Sequence, residues 1–163
     1  MQKVDYRQLE LNPFTVIGDE AFLLTAGSPD SWNAMTAGWG GFGYLWDLPV
    51  AYVFVRESRY TFRFISESRK FSLCFFPPEY KSALEYCGSH SGREVNKVEG
   101  AGITPVELEG HVAFEEANMI VTCSKLASIK LGESAIDRSL MNFYPQGDWH
   151  HIFIGQVEGV YIN

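Results

Sequence analysis

The sequence has few cysteines, and their spacing matches neither a metal site nor a disulfide framework. The three residues, Cys74, Cys87 and Cys123, form no C-x-x-C pair, and their odd number leaves at least one unpaired. His150 and His151 are adjacent, so on a strand their side chains would face opposite sides and would not ligate one ion. We therefore predict no metal, free thiols and a reducing, cytoplasmic compartment.

Long apolar runs and an excess of basic residues are also missing. No run approaches the roughly 18 apolar residues that a spanning helix requires, and MQKVDYRQLELNPF (1–14) lacks the apolar core of a signal peptide. The chain has 13 Lys and Arg against 20 Asp and Glu, a net charge of −7. Because a nucleic-acid-binding face must be basic to displace counterions, we expect neither a membrane nor a nucleic acid as partner.

The chain is long and apolar enough for one packed domain. It has 163 residues, of which 46% are hydrophobic and 15% aromatic, and we predict a single domain over 1–163. Short runs rich in β-branched and aromatic residues recur, whereas helix signals are fewer. This pattern predicts a mainly β fold, a barrel or sandwich with short peripheral helices.

Individual elements follow from periodicity and from turn residues. Strands are expected at 14–17, 20–27, 33–39, 50–56, 71–76, 118–128 and 150–162, the last with a bulge at Gly155. Helical segments are expected at 58–68 with Ser58 as N-cap, at 79–88 closed by Gly88, at 91–100 and at 135–144.

The stretch GWGGFG (38–43) contains G-x-G-x-x-G, the fingerprint of dinucleotide-binding sheets. That motif works only between a strand and a helix. Only five residues separate Gly43 from Pro49, and a strand pattern follows Pro49. We therefore reject the dinucleotide-binding fold and expect these glycines to form turns or bulges where the backbone approaches another group closely.

Residues 56–70 carry five Lys and Arg against two Glu, a local charge of +3 in an acidic chain. Arg56, Ser58, Arg59 and Thr61 bracket the expected start of the 58–68 helix, where unpaired N–H groups favour an anion. The alternative is an ordinary serine cap with solvated arginines. From spacing alone, both interpretations stay open.

A second polar cluster lies in GSHSGREVNK (88–97). Its small hydroxyl residues and Gly92 would let the backbone approach a ligand, and Lys97 would add a cation, but a capped surface turn has the same composition. His90 would be a candidate acid or base, although no neighbouring nucleophile or carboxylate pattern supports that role.

Together these motifs resemble the flavin reductase-like family of FMN-binding split-barrel proteins, which includes the flavoredoxins. The resemblance covers about residues 12–160. It rests on three runs in the family's order and spacing: NAMTAGWGGFGYLWDLPVAYVFVRESRYTFRFI (33–65), FSLCFF (71–76) and YCGSHSGREVNKVEGAGIT (86–104). The later segments EANMIVTC and DWHHIFIGQV agree with it as well.

The resemblance implies a split β-barrel with peripheral short helices that forms a homodimer and holds FMN near the subunit interface. The flavin ring would be lined by Asn33, Ala34, Met35 and Thr36 and bordered by Trp39. The phosphate would be bound by Arg56, Ser58, Arg59 and Thr61, with Tyr60 alongside, and approached by Ser89, Ser91 and Lys97.

The chemistry of such a protein comes from the flavin, so no side chain is predicted to be catalytic. An NAD(P)H-dependent flavin reductase is the first hypothesis. The alternatives are a flavoredoxin-type carrier that exchanges electrons with a redox partner protein, and an FMN-binding module without redox turnover. The sequence does not distinguish NADH from NADPH.

Overall fold

A computed structural model describes residues 1–163 and contains ten strands and three short α-helices. The strands are β1 (Gln2–Val4), β2 (Phe22–Ser28), β3 (Ser31–Ala37), β4 (Gly40–Leu45), β5 (Leu48–Arg56), β6 (Lys70–Phe75), β7 (Pro105–Leu108), β8 (His111–Phe114), β9 (Met119–Lys130) and β10 (His150–Ile162). The α-helices are α1 (Thr61–Glu67), α2 (Lys81–Ser89) and α3 (Lys97–Ala101). Single 3₁₀ turns lie at Tyr6–Gln8, Pro78–Tyr80 and Glu133–Ala135, and a longer one at Arg138–Phe143.

Eight strands form one antiparallel sheet in the order β3-β2-β6-β9-β10-β5-β4, with β1 paired to the end of β10. Strand β10 is 13 residues long and pairs along its length with β9. The register between them shifts at Ile154/Gly155 and again at Val157/Gly159, which confirms the predicted bulge at Gly155. The mainly β prediction is confirmed, and β7 and β8 form a separate hairpin.

The central strands are buried on both faces. Along β2 and β6, Leu24 and Leu73 enter one apolar cluster, whereas their neighbours Leu23 and Cys74 enter a second one. Successive side chains of a strand point to opposite faces, so the continuous apolar runs of these strands fill two cores. Helix α2 and the β7–β8 hairpin cover the second core, which fixes α2 beside β3.

Three local predictions are wrong. Residues Phe14–Asp19 form a π-helical segment, not a strand, because both edges of β2 are already paired with β3 and β6. Ser58 does not cap α1; the N-cap position is Tyr60. Gly88 does not close α2, which continues to Ser89 and ends at the C-cap His90.

The GWGGFG stretch lies on and before β4, which turns directly into β5. Trp46 and Asp47 form the two-residue connection with φ of 53° and 57°, as in a tight hairpin turn. No helix follows the glycines, as predicted, but Gly40, Gly41 and Gly43 pair in regular register with β5, so the expected turns or bulges are not formed. A Cβ on Gly40 would lie 2.5 Å from the Tyr52 carbonyl oxygen, so this glycine permits a close approach of β4 to β5.

Candidate functional site

The polar site is a cavity of about 200 Å³ between the β5–α1 turn and the turn after α2. It contains nine of the predicted site residues, namely Asn33, Met35, Ser58, Arg59, Tyr60, Thr61, Ser89, Ser91 and Lys97, together with Gly88, His90 and Arg93. No acidic side chain lines it. The two polar motifs, which are about 30 residues apart in sequence, therefore form one cavity.

Three cations converge on this cavity. Buried Lys97 donates from Nζ to the carbonyl oxygens of Ala34 at 2.9 Å and Cys87 at 2.7 Å, which leaves its third N–H without a partner. Arg59 donates to the Gly88 carbonyl at 3.2 Å. The guanidinium of Arg93 lies 4.8 Å from the ring centroid of Tyr60. Each cation keeps donors free for a ligand.

Backbone donors add to this positive charge. The N–H groups of Ser58, Tyr60 and Thr61 have no hydrogen-bond partner within the chain. They flank the start of α1, where N–H groups without an intrahelical partner favour anions. These donors fit a bound oxyanion.

Burial shifts the pKa values of two of the cations. Desolvation lowers the pKa of Lys97 to about 8, and the nearby Arg59 charge lowers it further against the opposing effect of Cys87. Desolvation also lowers the pKa of the Arg59 guanidinium. Since no acidic side chain lines the cavity, neither cation has a carboxylate counter-charge there, a condition that a bound anion would relieve.

Asn33 and Thr61 hold the floor of the cavity in place. Both are buried, and Asn33 Nδ2 donates to the Thr61 hydroxyl at 2.8 Å. Gly92 packs against the Asn33 amide so closely that any Cβ there would clash. The amide thus connects β3, α1 and the turn after α2, and explains why the turn contains glycine.

A second cavity, of about 180 Å³, continues from the first and shares Met35 and Arg59 with it. Its other lining residues are Thr36, Ala37, Gly38, Trp39, Phe54, Arg56 and His150. Together the two cavities reach the lower end of the 300–1,000 Å³ typical of small-molecule pockets. One end of this continuous groove is cationic, and the other is bordered by Trp39 and Phe54.

The remaining predicted residues lie beside the groove. Ala34 lines neither cavity and contributes its carbonyl to Lys97. The Thr36 hydroxyl donates to the carbonyl of Leu84, which ties β3 to α2. Trp39 packs against His150 with ring centroids 4.8 Å apart.

Arg56 and Ser58 have partners that the sequence did not indicate. Arg56 donates to the carbonyls of Asp148 at 2.8 Å and Phe143 at 2.9 Å, and Ser58 donates to the Asp148 carboxylate at 2.6 Å. Arg56 lines the second cavity and not the first. These contacts attach the segment before β10 to the β5–α1 turn.

His150 is a site residue that sequence reasoning treated only as a metal candidate. Its Nδ1 lies 2.7 Å from the Tyr144 hydroxyl. Burial, and then the charge of Arg56, lower its pKa to about 4 against the opposing effect of Asp148. It is therefore neutral at pH 7. Phe54 and Arg93 were also left out of the predicted set, although Arg93 lies within the S-G-R motif.

Metal and membrane signals are absent from the folded chain. No group of three or more His, Cys, Asp or Glu side chains is placed to hold a metal ion. None of its helices is long and apolar enough to cross a membrane.

Comparison with known proteins identifies one family. The model of the flavin reductase-like domain matches residues 17–163. Flavoredoxin of Desulfovibrio vulgaris (Miyazaki F) superposes with a TM-score of 0.69 at 25% identity, covering 88% of this chain and 69% of that one. A comparison with curated protein sequences gives no significant match.

Two further structures share the fold at lower identity. An FMN-binding protein from Thermus thermophilus gives a TM-score of 0.70 at 24% identity, covering 98% of this chain and 80% of that one. An NADH:FAD oxidoreductase of Streptomyces globisporus gives 0.66 at 17% identity, covering 88% and 75%. The split β-barrel prediction is confirmed by these likenesses and by the family match.

Proposed function

Because the chain belongs to the flavin reductase-like domain family, we propose that it is an FMN-binding flavoprotein that catalyses NAD(P)H-dependent flavin reduction. Membership in the family implies a flavin ligand. The observation that favours FMN is the first cavity, where Arg59, Arg93 and Lys97 converge with unpaired backbone N–H groups and no acidic residue. A terminal phosphate is the part of FMN that such a donor set would bind.

We place the phosphate in the first cavity and the ring in the second. Arg59, Lys97 and the N–H groups of Tyr60 and Thr61 would bind the phosphate, with Ser89 and Ser91 at its rim. The ring would lie against β3 between Met35 and Trp39. Strand β3 is an edge strand, so one row of its backbone groups lacks a partner strand and is available to the polar edge of the ring.

Bound FMN would supply the hydride and electron chemistry. The protein would bind and orient the FMN and would keep water away from it. Thr36 and Lys97 fix the edge strand by their bonds to α2 and to the Ala34 carbonyl. Phe54 and the half-exposed Trp39 border the far end of the groove. No side chain needs to act as acid or base for hydride transfer, so we assign no catalytic residue.

A second candidate is a flavoredoxin-type carrier, which the likeness to the Desulfovibrio flavoredoxin favours. In that function a partner protein, not a pyridine nucleotide, would exchange electrons with the flavin. The net charge of −7 would suit a basic redox partner.

We also propose one domain over 1–163, since all the strands except the β7–β8 hairpin join a single sheet. A reducing compartment such as the cytoplasm would fit three free, buried cysteines.

Stopped-flow reduction tests the proposal and separates the two candidates. The purified protein should be yellow or should bind added FMN with a change in flavin fluorescence. Mixing the loaded protein with NADH or NADPH should then bleach the visible flavin band within seconds. Bleaching only by dithionite or a reduced partner protein would favour the carrier, and a protein that does not bind FMN would contradict both.

A further inference from the structure

A third cavity, of about 340 Å³, adjoins the second and shares Trp39 and Phe54 with it. Its remaining walls are Leu131, Ile136, Leu140, Phe143 and Tyr144, so every lining residue is apolar or aromatic. Leu140 and Phe143 are 45% and 46% exposed, which is unusual for large apolar side chains around a concave surface.

The outer wall of this cavity is held by specific hydrogen bonds. It is formed by the segment between β9 and β10, whose ends meet where Leu131 N–H donates to the His150 carbonyl at 2.9 Å. Arg56 binds the carbonyls of Phe143 and Asp148, and Ser58 binds the Asp148 side chain. The edge of Trp39 packs on Phe143 with ring centroids 5.7 Å apart. The cavity is therefore built into the folded chain.

The chemistry of the walls restricts the ligand. No charged side chain lines the cavity. The Tyr144 hydroxyl and His150 Nδ1 already share a hydrogen bond, and the Arg56 guanidinium donates to backbone carbonyls. A phosphate or carboxylate buried here would lose water without gaining a partner. An apolar ring would gain contact with the aromatic rings of Trp39, Phe54 and Phe143.

We propose that this third cavity binds a flat, uncharged compound of one or two rings. The compound would lie beside the end of the groove that we assign to the flavin ring. The shared walls Trp39 and Phe54 would bring that compound next to the flavin. Its role as a partner of the flavin rests on the proposed function, whereas its binding rests on the cavity alone. The volume lies within the range of small-molecule pockets, as expected for such a ligand.

Binding of menadione, an uncharged two-ring quinone, tests the proposal on the FMN-saturated protein by isothermal titration calorimetry. Leu140→Asp places a charge in the apolar wall and should weaken menadione binding at least tenfold. The matched control is Leu126→Asp, because Leu126 is 39% exposed on β9 and lines none of the three cavities. That variant should bind menadione as the wild type does.

FMN affinity and molar mass are measured for the same variants. Unchanged FMN affinity in Leu140→Asp with loss of menadione binding supports the proposal. No menadione binding by the wild type, or equal binding by Leu140→Asp, overturns it. If Leu140→Asp changes the molar mass in light scattering but not menadione binding, the proposal is also overturned, because a second copy would then cover the cavity. If the wild type binds menadione but not FMN, the proposed function fails and the cavity assignment stands.

Discussion

Arg56, Arg59 and Arg63 lie within one short segment but have different partners in the folded chain. Arg56 binds the carbonyls of Phe143 and Asp148. Arg63 is exposed and lies 3.3 Å from Glu67 one turn along α1. Of these three arginines, only Arg59 lines both cavities of the groove. Its pKa is lowered by burial, and no carboxylate is paired with it. The three arginines therefore have different surroundings: Arg59 lines both cavities, Arg56 holds the segment before β10, and Arg63 lies on the surface.

Arg59→Ala should weaken FMN binding by about 10- to 100-fold, since a hydrogen bond to a charged group contributes roughly 1.5–3 kcal/mol. Riboflavin, which lacks the phosphate, should lose much less. Arg63→Ala is the matched control and should leave both affinities unchanged, because an exposed pair contributes little. Fluorescence titration measures all four affinities. Equal losses for FMN and riboflavin in Arg59→Ala would remove the phosphate assignment.

Lys97 makes the proposed phosphate site sensitive to pH. Its pKa of about 8 means that the ammonium loses its charge as the pH rises above that value. FMN affinity should therefore fall above about pH 8, by at most about tenfold per pH unit for one proton. Riboflavin affinity should not follow that slope. Lys97→Met should bind FMN weakly, and its FMN affinity should not fall with pH in this range. Lys81→Met, on the exposed start of α2, should keep the pH dependence of the wild type.

The effect of Lys97 on folding has the opposite sign. Its folded-state pKa of about 8 is below the ordinary value of 10.5, so between these values the unfolded chain binds more protons. The contribution of Lys97 to the stability of the ligand-free protein should therefore increase as the pH rises through this range. Affinity and stability thus change in opposite directions. If FMN affinity and stability both fell with rising pH in the wild type, the loss of affinity would be due to unfolding.

The sequence predicted most of the groove residues but not all of their partners. Arg59, Thr61 and Lys97 were identified because cations and hydroxyls cluster within short segments. The partners of Arg56 and Ser58 were not, since Phe143 and Asp148 lie about 90 residues away and no local pattern records that contact. His150 was considered only with its neighbour, whereas in the fold it faces Trp39 and Tyr144.

At the scale of elements, alternation and turn residues predicted the positions of strands better than they predicted where helices begin and end. The apolar runs of β2, β5, β6, β9 and β10 are where they were expected. The 14–17 run is not a strand; β2, its neighbour in sequence, pairs with β3 on one edge and with β6 on the other. Serine is a common N-cap residue, but the Ser58 hydroxyl donates to the Asp148 carboxylate instead of capping α1.

The glycines of β4 provide a test of their packing role. Gly40→Ala would place a Cβ 2.5 Å from the Tyr52 carbonyl oxygen, and overpacking of this kind costs roughly 1–3 kcal/mol. Gly43→Ala is the matched control, because no atom lies within 4 Å of its Cβ position. Urea denaturation should show a lower midpoint for Gly40→Ala only. Equal midpoints for the two variants would mean that β4 adjusts without cost.

At the scale of the whole molecule, the apolar surface is not evenly spread. Tyr44, Leu45 and Trp46 are exposed together at the tip of the β4–β5 hairpin, with Trp46 at 57% and Tyr44 at 66%. Clustered exposed aromatic residues mark an interaction surface more often than single ones do. The tip is also a tight turn, in which Trp46 and Asp47 have positive φ.

We propose that this hairpin tip contacts a second copy of the chain, in line with the predicted homodimer. Light scattering at micromolar concentration should then give twice the chain mass for the wild type. Trp46→Asp should shift the protein towards the monomer, since a charge in an apolar contact loses water without a partner. Ile129→Asp, at an exposed apolar position on β9, should remain dimeric. A monomeric wild type would contradict the homodimer, and a dimeric Trp46→Asp would place the contact elsewhere on the surface.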